Sequence, residues 1–221
     1  MTTHAPIKTS PIPSGAYSCQ SWRIHEITHD FELEDVWALP VQGGPDDFPA
    51  FVEAMMSSDD RDFPAAYRLL FAVRWALGRM LGADEDEHGL GRRVASLRDR
   101  LPDAMYRACR DDLRDHPAPE RDTSPFQPLY LTDREYAAEI ANRTMHGVLH
   151  LGWVEDECAP DGYSAQMSVL VRPNGLLGDA YMRFIKPFRY LVVYPALLRT
   201  VGRRWETAQG VARCDVSSLS R

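Results

Sequence analysis

The chain has 221 residues, 44% of them hydrophobic and 26% charged, with 25 Lys and Arg against 32 Asp and Glu. That length allows one domain with an ordinary core. The net charge of −7 is the wrong sign for a nucleic-acid binder, which needs a basic face to meet phosphates.

Residues 1–20 hold three prolines and one glycine among small polar residues, and are expected to form a flexible arm rather than part of the fold. They lack the apolar core of a signal peptide. Trp22–Ile27 alternates briefly and predicts a first strand. Asp30–Leu39 predicts a short helix capped by Asp30. Asp47 is placed to cap a helix over Phe48–Met56, with Phe48, Phe51, Val52 and Met55 on one side. A second helix is expected over Ala65–Leu81, entered through Pro64 and stopped at Gly82. Residues 83–128 give no clear periodicity, and the four prolines between Asp115 and Pro128 point to an extended connection.

The character changes at Leu129. A short strand is expected over Leu129–Thr132 and alternation over residues 136–141. Asn142-Arg143 then suits a tight turn. Thr144–Val154 alternates again, with Met145, Gly147, Leu149, Leu151 and Trp153 on one face and His146, Val148, His150 and Gly152 on the other. A polar turn follows, and Tyr163–Pro173 forms another alternating run. This is the pattern of an antiparallel meander with one apolar face. Asn174-Gly175 makes a turn into a long C-terminal helix. Its apolar stripe is Leu177, Tyr181, Phe184, Ile185, Phe188, Leu191 and Val192, with a kink at Pro187. Residues 207–221 read as a tail, which leaves 21–206 as the domain.

The stretches Glu135–Trp153, Val169–Met182 and Ile185–Arg189 resemble an uncharacterised bacterial family, known only as a domain of unknown function. They look like a divergent branch of the helix-grip superfamily, which includes START, birch-pollen-allergen-like and polyketide cyclase-like proteins. The resemblance covers most of residues 22–206. It implies an α+β fold in which an antiparallel sheet wraps a long C-terminal helix around a hydrophobic cavity. It carries no catalytic motif.

Four groups of residues invite a functional reading. His146 and His150 would share a helix face and could hold zinc, with Glu135 or Glu139 completing the site. On a strand they sit about 13 Å apart, too far for one metal, so no metal is expected. His146, His150 and Glu139 could instead serve acid–base chemistry; the competing expectation is that they lie on the solvent side of the sheet, opposite Met145, Leu149 and Trp153. Met145, Leu149, Trp153, Met167, Tyr181 and Phe184 could line a cavity for a small apolar ligand, or pack as ordinary core. Arg183 and Lys186 could meet an anionic group at its mouth; the basic residues from Arg183 to Arg204 equally describe a solvated helix face.

No dinucleotide fingerprint, phosphate loop or nucleophile signature is present, and no cofactor is expected. The four cysteines, Cys19, Cys109, Cys158 and Cys214, lack metal spacing. The longest apolar run, Leu191–Leu198, is much too short for a membrane span. The expectation is a cytoplasmic protein with reduced thiols that binds a small apolar molecule. An acid–base enzyme of the cyclase or dehydratase kind and a non-catalytic interaction protein with a filled core, as a homodimer, are the alternatives.

Overall fold

A computed structural model of the chain describes residues 10–56, 94–103, 126–141, 145–175, 183, 186–187 and 189–218, without the side chains of Val192 and of 211–218. The predicted helix over residues 65–81, the Asn142-Arg143 turn and most of 83–128 lie outside these residues.

Five strands form one antiparallel sheet: β1 (Glu32–Gly43), β2 (Gln127–Leu131), β3 (Glu135–Ala141), β4 (Met145–Glu155) and β5 (Tyr163–Pro173). Their order across the sheet is β1-β5-β4-β3-β2. The first strand therefore pairs with the last, and β5, β4 and β3 are the interior strands. The meander follows the alternation of the sequence closely, and β5 ends at the expected proline. Gly162, at φ 86°, closes the β4–β5 turn, and Gly175, at φ 73°, turns the chain after β5; a side chain would be strained at either position.

Two short early elements differ from expectation. Ile24–Ile27 is a single helical turn, α2, not a strand, and Glu32–Gly43 is a strand, not a helix. Glu32, Glu34 and Asp35 break the apolar periodicity of β1. The strand carries an extra residue between Leu33 and Asp35, and such a bulge disturbs alternation. Residues 10–20 also depart from the flexible arm. Ser14–Ser18 forms α1, with Tyr17 only 1% exposed. Ile12 N–H donates to Val36 O and Ala38 N–H to Ser10 O, so this segment pairs with the outer edge of β1.

One face of the sheet packs against α3 (Phe48–Met56) and the C-terminal helix α4 (Tyr194–Ser218). Trp37, Tyr136, Leu151, Trp153 and Met167 meet Phe48, Phe51, Val52, Leu198, Val201 and Trp205 there. Asp47 stands before α3 as expected, but its carboxylate accepts from Gly44 N–H and so braces the preceding turn. Trp153 Nε1 donates to Gly44 O and Trp205 Nε1 to Gln42 O, each at 2.9 Å. Both indoles therefore bury their rings without stranding a donor. Gly202 lets α4 approach Pro40 closely: a Cβ there would stand 3.0 Å from the proline ring. The architecture is α+β and helix-grip-like.

α4 continues to Ser218, through what was expected to be a tail. It is entered through a π-helical turn, Arg189–Val193. The wider turn re-phases the helix, so Val193 and Tyr194 are buried against the sheet and Leu191, expected in the apolar stripe, is 77% exposed.

The other face is covered too. α1, α2 and the segment 94–101, with its 3-10 turn Leu97–Arg100, lie over Val36, Ala137, Val148 and Leu170. Trp22 lies flat over Gly152, where a Cβ would meet the indole at 2.9 Å. Gly152→Val is expected to lower unfolding free energy by about 1–3 kcal/mol through overpacking and to expose residues 13–27 to limited proteolysis. Unchanged stability together with unchanged cleavage would contradict this packing.

Candidate functional site

The covered face holds the histidines and glutamates singled out by the sequence. β3 places Glu135 and Glu139 on one side of the strand, and β4 places His146 and His150 beside them. Glu135 is opposite Gly152 and Glu139 opposite Val148, so each histidine lies diagonally across from one glutamate. His150 Nε2 is 3.3 Å from Glu135 Oε2, and His146 Nε2 is 2.8 Å from Glu139 Oε2. The solvent-side expectation is therefore overturned: His146, His150 and Glu139 are 1%, 0% and 0% exposed. The reason is the second cover layer, which comes from chain far away in sequence. Tyr17 reaches His150 Nδ1 at 3.1 Å across 133 positions.

Each carboxylate is satisfied by its cover segment. Glu135 accepts from Arg23 N–H at 2.9 Å, at the start of α2, and from Tyr130 Oη at 3.1 Å. Glu139 accepts from Leu97 N–H at 3.1 Å and from Ser96 Oγ, at the start of the 3-10 turn. Both therefore act as distant caps, supplying an acceptor where a helical turn has free N–H groups. Burial pushes both carboxyls upward, but the bonds from the histidines and these donors outweigh it, and both stay below the ordinary range. Burial lowers His150, against the pull of Glu135. A carboxylate only accepts, so neutral His150 carries its proton on Nε2, and Nδ1 accepts from Tyr17 Oη or from Ser168 Oγ at 3.3 Å.

This arrangement clasps the cover to the sheet. His146 and His150 pair with different glutamates, and among the described residues no three His, Cys, Asp or Glu side chains converge as metal ligands. The clasp also lies on the far side of the sheet from α4, so it cannot act on anything held between sheet and helix.

The candidate cavity residues divide. Trp153 and Met167 are packed core, 1% and 4% exposed. Met145 and Leu149 are half-buried on the α4 side, as is Val169, which pairs with Leu149. Arg183 is exposed; Tyr181 and Phe184 lie outside the described residues.

Beside Leu149 and Val169 stands a polar cluster that the sequence reading missed. Asp35 pairs with Val169 across β1 and β5. Its carboxylate, in a side chain 0% exposed, is in ion-pair contact with Arg189 and accepts from Tyr190 Oη, and from Tyr194 Oη at 2.6 Å. Arg189 also donates to Tyr194 Oη at 2.7 Å. The β1 bulge turns Glu34 toward the same helix, 3.6 Å from Lys186 and 3.9 Å from Arg189. Trp37 packs on both tyrosines, with ring centroids at 5.6 and 4.9 Å. Burial first, then the bond with Asp35 and its charge, pushes the Tyr190 phenol up to about 12. The Tyr-x-x-x-Tyr spacing at 190 and 194 was the available signal, since it puts two phenols on one helix face; their acceptor lies more than 150 positions away.

Fold and site together define an α+β protein whose sheet carries a structural clasp on one face and a half-open apolar patch with a polar cluster on the other. The chain belongs to the family described as protein of unknown function (DUF2867), whose sequence profile matches residues 27–196. No curated protein and no solved structure matches it. Among the described residues, no helix is long and apolar enough to cross a membrane.

Acid should loosen the clasp. His150 and His25, which lies edge-on to Tyr17, are both lowered from 6.5, by burial first and against the opposing pull of Glu135. The unfolded chain then binds more protons than the folded one below about pH 6.5, so stability is complete above that pH and falls as pH drops through it. Glu135 and Glu139, held below 4.5, add a second loss at lower pH. The thermal midpoint is expected to fall between about pH 7 and pH 5. His150→Gln, which keeps a donor for Glu135, should flatten that slope; a flat wild-type profile would contradict the protonation states assigned here.

Proposed function

We propose that this protein binds a small, largely apolar molecule on the α4 side of the sheet, over Met145, Leu149 and Val169. The observation that carries the reading is the half-burial of apolar side chains on two interior strands. Interior-strand positions on a helix-covered face are ordinarily buried, as Leu151 and Met167 are one row away. An apolar patch ending in a few fixed polar groups is the common form of a small-molecule site, and Asp35, Arg189 and Tyr190 stand at its edge.

Acid–base catalysis by His146, His150 and Glu139 has less behind it. Glu139 and His150 are bonded to the cover, His146 Nε2 is held by Glu139 while its Nδ1 is buried without a partner, and all three point away from the patch. The protein acts as a binding module in this reading, in the cytoplasm.

Native mass spectrometry of freshly purified protein is expected to show an adduct that is lost on denaturing extraction. Leu149→Trp should fill the patch and abolish the adduct while leaving the thermal midpoint within a few degrees. A clean apo mass, together with no saturable uptake of an environment-sensitive apolar dye, would remove the reading.

A further inference from the structure

The cluster at the edge of the patch constrains the chemistry of the ligand's polar end. This constraint rests on the binding reading above and deepens it. The two cations of the cluster are already paired: Arg189 contacts Asp35 and Glu34, and Lys186 contacts Glu34. Two carboxylates face these two cations, so the cluster is neutral overall, and among its described residues an incoming anion meets no unpaired positive charge. A ligand carboxylate or phosphate would have to break existing ion pairs to be held.

Hydrogen-bond direction comes next. Asp35 accepts from Arg189, Tyr190 and Tyr194 at once, and its side chain is sealed from solvent. Tyr194 is buried, whereas Tyr190 is only partly so. Tyr190 therefore spends its single O–H on Asp35 and remains a neutral phenol at ordinary pH. What it can still offer is an oxygen lone pair.

From this we infer that the site recognises a molecule with an apolar body and an uncharged hydrogen-bond donor, an alcohol or phenol, at its polar end, with Tyr190 Oη as the acceptor. Asp35 sets that specificity by locking the direction of the tyrosine hydroxyl, and Arg189 and Tyr194 hold Asp35 in place. A fatty-acid-like carboxylate is the class the cluster rejects.

Three probes of equal chain length separate the possibilities: lauryl alcohol, lauryl methyl ether, which lacks the donor, and lauric acid, which is anionic at neutral pH. Dissociation constants for the full-length protein would be measured by displacement of an apolar dye. The alcohol is expected to bind roughly tenfold more tightly than either of the others, the scale of one hydrogen bond. Tyr190→Phe is expected to bind the ether as before and to lose the preference for the alcohol. Lauric acid binding as tightly as the alcohol would overturn this inference while leaving the apolar site intact, and so would a preference that survives in a folded Tyr190→Phe variant. If that variant does not fold, the wild-type ranking decides alone. Failure of all three probes to bind would remove the apolar site itself and this inference with it.

Discussion

A carboxylate taken out of water must be given hydrogen bonds, and two of them set the architecture here. Glu135 and Glu139 lie on β3, near the middle of a sheet face, where no solvent reaches. An unpaired charge in that position would cost several kcal/mol. Their donors come from Arg23, Tyr130, Ser96 and Leu97, and three of those four lie in the cover segments. The N-terminal segment and residues 94–101 therefore have to lie on that face. Arg100 then ties the two segments together through Ile27 O and Asp30, and Arg172 ties Asp30 back to β5. The clasp is specific because it is polar. Apolar packing alone would tolerate a slide of the cover, but two carboxylates four residues apart accept only one register of donors.

With one face committed to this clasp, the other becomes the place for anything the protein does beyond holding itself together. The two faces use charge differently. On the clasp face the two buried carboxylates answer to backbone amides, hydroxyls and histidines. On the α4 face Asp35 answers to two phenols and a guanidinium, from the π-turn and the first residue of α4, beside apolar side chains that are half-buried. A strand's alternation keeps these two polar systems apart although they are carried by the same sheet.

Most of the sheet was legible in the sequence because local periodicity fixes it. β3, β4 and β5 alternate over seven to eleven residues, and Pro173 and Gly175 punctuate the end. What misled was the meaning of alternation. His146 and His150 on the polar side of β4 read as solvent-facing, since a strand cannot record that a second layer will cover it. That information lies in Tyr17 and Trp22, more than 120 positions earlier. β1 was misread for a different reason. Its bulge at Glu34 puts two acidic residues side by side on one face, so the period-2 signal fails where the site is built. The α4 stripe was misread by the same logic, because the π-turn adds a residue and moves Leu191 out to solvent. Of the candidate cavity residues, Met145, Leu149, Trp153 and Met167 all lie on the α4 side, the first two half-buried and the last two buried.

The two backbone irregularities are the stronger argument that the cluster serves a purpose other than stability. A bulge leaves a residue of β1 unpaired in the ladder, and a π-turn loosens the first turn of α4. A regular strand and a regular helix, with apolar residues in place of Asp35 and Arg189, would keep those backbone bonds and avoid the desolvation of an ion pair; replacements of that kind are often neutral or stabilising. The sheet has other register shifts, between Ala38 and Gln42 and between Pro128 and Tyr130, but the bulge at Glu34 and the π-turn fall on the same few residues. The bulge aims Glu34 and Asp35 at the helix, and the π-turn brings Arg189, Tyr190 and Tyr194 round to meet them. A fold selected only for stability has no reason to place two such departures face to face. The proposed site, which needs one phenol in a fixed orientation beside an apolar patch, does.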